Sequence, residues 1–163
     1  MSGLAAARSW DKDAALSIVQ EKKTLDGALM PILHALNDAF GYVDASIVPV
    51  IAEELNLSRA EVHGVLTFYH DFRKNPAGRH VVKICRAEAC QSMAGRALEE
   101  HIKHHLKVGL GETTADKKVT FEAVYCLGLC ACAPSMMIDG KLHGRVTPEK
   151  FDRIMAKTAA GAR

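Results

Sequence analysis

The sequence predicts an α+β protein: a helical first half, then a mixed β-sheet flanked by helices. Three observations lead there. Apolar residues recur at helical spacing through the first 75 residues. The segment "RKNPAGRH" (73–80) crowds Pro, Gly and charges into a turn. Beyond it, short β-branched runs alternate with amphipathic helical stretches. The chain thus divides into a helical N-terminal domain, 1–75, and a sheet domain, 76–163.

The elements follow in order. "DKDAALSIVQEKK" is a short amphipathic helix with Leu16, Ile18 and Val19 inward. Leu29, Ile32, Leu33, Leu36 and Phe40 form the apolar stripe of a second helix. Pro31 falls near its start, where a missing N–H does little harm, and Gly41 stops it. A third helix carries Ile47, Val48, Ile51 and Leu55, with Pro49 in its opening turn. Ser58 and Glu61 make a capping box for a fourth, through Val62, Val65, Leu66 and Tyr69. Four short helices with tight links predict an N-terminal helical bundle.

In the second half, "HVVKIC" reads as a strand, and "SMAGRALEEHIKHHL" as one helix N-capped by Ser92. "GLGETTADKK" reads as a loop. "KVTFEAVYC" alternates Val119, Phe121 and Ala123 with Thr120 and Glu122, the strand period. "SMMIDGKLHGRV" is a hairpin turning at Asp139–Gly140. Thr147 caps a C-terminal helix that has Pro148 at its first position. A strand–helix–strand unit implies a parallel crossover, and the hairpin adds antiparallel strands. This is the plan of a thioredoxin-like α/β domain.

Composition excludes several classes. At 48% hydrophobic and 25% charged residues, usage is globular. No apolar run approaches a membrane span, and "MSGLAAARSWDKDAALSIVQ", broken by charges, is no secretory signal, so the expected localisation is cytoplasmic. Residues 1–78 carry 7 Lys/Arg against 10 Asp/Glu, a net −3, and residues 79–163 carry 14 against 9, a net +5. There is no dense basic run with interleaved aromatics, so nucleic acid is not the expected partner. No G-x-G-x-x-G, Walker loop or nucleophile elbow occurs, and no catalytic residue is assigned.

The five cysteines all lie between residues 85 and 132. In a reducing compartment such clustering favours metal over disulfides. The frame is Cys85-x4-Cys90, 35 intervening residues, then Cys126-x3-Cys130. Cys85 and Cys126 end two strands of the expected sheet, so the loops holding Cys90 and Cys130 leave the same rim. Four thiolates suit zinc or an iron–sulfur cluster, and the spacing leaves both open. A zinc-stabilised interaction module is the alternative reading.

The local sequence favours negative charge at that rim. Cys90 precedes the expected helix start, whose free N–H groups would face it, and Arg86 lies in the same loop. "LGL" and "PSMM" would shield the site with apolar groups. Cys132, the odd cysteine, reads as packing. A thiol–disulfide enzyme would want C-x-x-C, which is absent. His101 and His105 have the one-turn spacing of a zinc pair, but no third ligand is visible, and the stretch reads as a solvated helix face.

With the cysteines placed, the chain resembles a known family. The frame followed by "CLGLCACAPSMMIDGKLHGRVTP", together with "EVHGVLTFYHDFR", is similar to the small [2Fe–2S] subunit of NADH:quinone oxidoreductase (complex I). The same module serves NAD-reducing hydrogenases and NAD-dependent formate dehydrogenases. "TFYHDFR" and "CRAEACQSM" look most like the gamma subunit of soluble formate dehydrogenases. The resemblance implies one [2Fe–2S] cluster on Cys85, Cys90, Cys126 and Cys130. It implies docking to an FMN- and NAD-binding subunit and to the larger dehydrogenase subunit. It implies an electron-transfer subunit with no catalytic site of its own. Pro134 resembles a proline that precedes a strand in cis, so a cis bond is expected there.

Overall fold

Capping and apolar spacing account for the first four helices. The structure, a computed structural model, describes residues 9–160, with side chains through Thr158. The reading of the N-terminal stretch as no secretory signal falls partly on residues 1–8, outside the described residues. The chain forms two units that divide between Ala77 and Gly78.

In the first unit, α1 (Lys12–Lys22) starts at Asp11, whose carboxylate accepts the N–H groups of Asp13 and Ala14 at 3.0 and 3.2 Å. It buries Ala15 and Val19, while Leu16 and Ile18 are half-buried against the same core. α2 (Leu29–Phe40) buries Ile32, Leu33, Leu36 and Phe40 and ends at Gly41, which is left-handed at φ 78°. A single 3₁₀ turn (Ala45–Ile47) leads into α3 (Val48–Glu54), with Pro49 in its first turn. The capping box of α4 (Arg59–Phe68) is formed: the Ser58 hydroxyl accepts the Glu61 N–H at 3.1 Å, and the Glu61 carboxylate accepts the Ser58 N–H at 2.8 Å. Tyr69 departs from the expected inward stripe. It leaves the helix with extended backbone and is 45% exposed, and Phe68 beside it is 73% exposed.

The second unit holds a five-stranded sheet of β1 (His80–Cys85), β2 (Glu112–Thr113), β3 (Val119–Val124), β4 (Met136–Ile138) and β5 (Lys141–His143), in the order β2-β3-β1-β4-β5. β1 (His80–Cys85) pairs parallel to β3 (Val119–Val124) with Cys85 opposite Val124. β4 (Met136–Ile138) and β5 (Lys141–His143) form the hairpin, turning at Asp139 and Gly140 with φ of 49° and 82°. The Ala133–Pro134 peptide before β4 is cis, as expected. α7 (Pro148–Ala160) closes the unit, with the Thr147 hydroxyl accepting the Lys150 N–H at 3.2 Å. Phe121 and Phe151, both fully buried, lie with Val82, Ile84, Leu98, Ile102 and Met136 in its core. Truncating either ring would cost about 3–5 kcal/mol.

Three expectations are corrected here. The long helix is two helices, α5 (Glu88–Ser92) and α6 (Gly95–Leu106), broken at Ala94, which is left-handed at φ 64°. Ser92 ends α5 rather than capping α6, and its hydroxyl donates to the Ala89 carbonyl at 3.0 Å. The loop after α6 contains a two-residue edge strand, β2 (Glu112–Thr113), antiparallel to β3. Thr120, which alternates with Val119 and Phe121, is buried as they are; its hydroxyl meets that of Thr113 at 2.8 Å and accepts the Gly78 N–H at 2.6 Å. A buried hydroxyl with these partners is not penalised by burial. No helix among the described residues is long and apolar enough to cross a membrane.

Candidate metal centre

The parallel pairing of β1 and β3 sets where the thiols fall. Cys85 ends β1, held by its own N–H to the Ser135 carbonyl at 3.1 Å, and the next N–H, of Arg86, reaches the Val124 carbonyl at 2.8 Å. Two residues past Val124 the chain turns at Cys126, which has φ 85°. That conformation costs a non-glycine residue about 1–3 kcal/mol, a strain that structures tolerate where geometry serves a site. The turn brings the N–H groups of Cys126 and Leu127 onto the Cys85 sulfur, beside that of Ala87. The Gly128 N–H reaches the Cys126 sulfur at 3.4 Å.

Cys90 sits inside α5, not ahead of a helix, because its N–H is already bonded to the Ala87 carbonyl at 3.0 Å. The backbone donors at this rim are instead those of Ala87, Cys126 and Leu127, and they serve Cys85. Burial pushes the Cys85 thiol up, but hydrogen bonds from the Ala87 N–H, the Cys90 thiol and the Cys126 and Leu127 N–H groups outweigh it. The net direction is down, towards thiolate. The Cys90 sulfur lies 3.4 Å from the hydroxyl of Ser135, a buried residue that sequence reasoning passed over. Its only signal was its place directly after Pro134.

The second pair is Cys126 and Cys130, with sulfurs 3.6 Å apart. Cys130 is held up by its hydrogen bond and charge repulsion with Cys126, and more weakly by Cys90 and Cys85. All four thiols thus act on one another across the two loops. The repulsion that holds Cys130 up is relieved when a cation takes the negative charge.

The two pairs differ in exposure. Cys85 and Cys90 are each 2% exposed, packed with Ala133, Ala87, Ala89, Val124 and Leu127; Cys126 and Cys130 are open to solvent. The expected apolar shield is therefore one-sided: Leu127 contributes, whereas Met136 belongs to the sheet core. Tyr125 and Met93 are 71% and 58% exposed.

Arg86 is not a bare cation at the rim. Its Nε lies 2.9 Å from the buried Glu99 carboxylate, which Lys103 also meets at 2.8 Å. Cys132 is anchored by its backbone: its N–H reaches the Leu129 carbonyl at 2.8 Å, and its carbonyl accepts the Arg145 N–H at 2.6 Å.

Among the described residues, the one trio of ligating side chains with donors all within 4.8 Å of one another is His101, His105 and Asp152. The Cys126 and Cys130 sulfurs form one pair, 3.6 Å apart, and the hydrogen-bonded thiols of Cys85 and Cys90 form the other. Two such pairs suit a binuclear centre with two thiolates on each metal.

Comparison with known proteins shows the family. The profile of the thioredoxin-like [2Fe-2S] ferredoxin family matches residues 15–159. The chain belongs to that family. Its members carry one [2Fe–2S] cluster, and the donor set described above fits it. The HndA component of the NADP-reducing hydrogenase of Solidesulfovibrio fructosivorans is 30% identical over 132 residues, 81% of this chain and 77% of the relative. An NADH-quinone oxidoreductase subunit of Pseudomonas aeruginosa is 36% identical over 115 residues, 71% and 69% of the two chains. A crystal structure of an NAD+-reducing [NiFe]-hydrogenase in the air-oxidized state shares the fold, with TM-score 0.68 at 23% identity, covering 88% of this chain and 24% of that one.

Proposed function

We propose that the chain is a one-electron carrier subunit of an NAD-linked oxidoreductase complex, with Cys85, Cys90, Cys126 and Cys130 ligating its [2Fe–2S] cluster. The observation that carries this is the meeting of two cysteine pairs at one sheet rim, one pair buried and one exposed. When bound, the cluster supplies reversible storage of a single electron. The residues of the chain set its charge and its access. The N–H groups of Ala87, Cys126 and Leu127 stabilise negative charge on the Cys85 sulfur. Leu127, Ala133 and Val124 exclude water from the Cys85–Cys90 side. The Cys126–Cys130 side, with Tyr125 exposed beside it, is the face across which electrons pass to or from a partner.

The partner is an FMN- and NAD-binding subunit, working with a larger dehydrogenase subunit in the cytosol. The two relatives named above are subunits of a hydrogenase and of a quinone oxidoreductase. The stretches "TFYHDFR" and "CRAEACQSM" support formate dehydrogenase as the system for this chain.

Two experiments test these statements separately. Iron and acid-labile sulfide, assayed together, should be equal in the purified chain, and dithionite reduction should give a rhombic electron paramagnetic resonance signal. Serine at Cys85, Cys90, Cys126 or Cys130 should bleach or shift the visible spectrum, while Cys132→Ser should spare it. Bound zinc without sulfide would refute the electron-carrier reading. For the larger system, the complex isolated from its host should reduce NAD with formate. Activity with hydrogen or quinone instead would overturn the formate assignment alone.

A further inference from the structure

We propose that His101, His105 and Asp152 form a second metal site, separate from the cysteines, which takes a divalent first-row ion such as zinc. His101 and His105 stand one turn apart on α6. Asp152 comes from α7, and this is the third ligand that the sequence could not display. One oxygen of Asp152 lies 2.8 Å from His101 Nε2 and 3.2 Å from His105 Nδ1. The three donor atoms all fall within 4.8 Å of one another.

These distances are near those a metal needs. Bonds of about 2.0–2.1 Å to imidazole and carboxylate place tetrahedral ligands about 3.3 Å apart. The two imidazole–carboxylate contacts therefore need to lengthen only slightly for an ion to enter between them. Two imidazoles and a carboxylate form a borderline donor set that suits zinc and leaves a fourth position for water. The side chains are 32%, 41% and 44% exposed, so an ion can reach them from solvent.

Both rings are also braced. The buried Phe151 meets them edge to face, at 6.0 Å from His101 and 5.3 Å from His105. The ring positions are thus set by packing before any ion arrives, which lowers the ordering cost of binding. Glu149, one turn before Asp152 on α7, lies within electrostatic reach of His101 and adds negative charge nearby. An ion here would tie α7 to α6 and stabilise the fold by mass action.

The test uses the chain with its cluster in place, so that the four thiolates are occupied. Zinc is added, unbound metal is removed, and zinc and iron are counted per chain, with thermal unfolding followed in parallel. The expected result is one zinc per chain and an unfolding midpoint that rises with zinc. Both effects should disappear in the His101→Gln/His105→Gln double variant and in Asp152→Asn, each checked for an unchanged visible spectrum and circular dichroism. No zinc retained by the wild type would overturn the site. Equal retention by wild type and variants would overturn it too, since the ion would then sit elsewhere.

Discussion

Gly95→Ala isolates how closely the two helices at the first cysteine pair are fitted. Gly95 opens α6 directly after the left-handed Ala94. A Cβ built there would stand 2.4 Å from the Cys90 carbonyl oxygen and 2.8 Å from its carbon. Real Cβ contacts essentially never fall below 3.0 Å, so the two must part by at least 0.6 Å. The Cys90 backbone that carries one of the four thiols must then shift or α6 must move away from it. Overpacking of this size costs about 1–3 kcal/mol. The expected result is a lower urea midpoint with an unchanged slope, and faster loss of visible absorption under chelator. Gly64→Ala is the control. It lies inside α4 with nothing within 4 Å of the new methyl, and it should stabilise by about 0.5–1 kcal/mol. If Gly95→Ala matched the wild type in both midpoint and absorption decay, the close α5–α6 fit would have no bearing on the centre.

Other outcomes follow from the same structure. Ser58→Ala removes the cap of α4 and should cost about 1 kcal/mol by chemical denaturation, leaving the visible spectrum unchanged. Arg86→Gln takes one of two cations from the buried Glu99. Because Arg86 is 39% exposed, the loss should be only about 1–2 kcal/mol, with a reduction potential shifted to more negative values in a redox titration. His143 is held below its usual value of 6.5 by burial first, then by Lys141 and Lys150. Its neutral form is favoured by folding, so its contribution is intact above 6.5 and is lost as pH falls through the folded value. His143→Gln should therefore flatten the fall in the unfolding midpoint as pH drops below 6.5.

Local rules made most of the fold legible. Apolar spacing placed α1 to α4, the capping residues placed their starts, and the Asp139–Gly140 turn placed the hairpin. The two cysteine pairs at one rim followed from strand order alone. What escaped depended on contacts distant in sequence or on single backbone angles. Nothing in "QSMAGRA" distinguishes one helix from two, because the break is a conformation of Ala94 that alanine does not favour. Splitting that helix left Cys90 inside α5 rather than ahead of a helix start, while the Cys126 turn supplied donors to Cys85 instead. Asp152 stands on a helix with other charged residues, and only the approach of α6 to α7 makes it a partner for two histidines. Tyr69 kept helical spacing yet turned outward, since spacing says nothing of where a helix stops.

The alignment of Cys85 with Val124 also bears on how the protein is made. As the polypeptide leaves the ribosome, Cys85 and Cys90 emerge well before Cys126 and Cys130, and they face no completed rim until β3 has docked beside β1. An emerging chain at that stage offers only half a cradle. All four thiols are brought to one rim only after β3 has docked along β1.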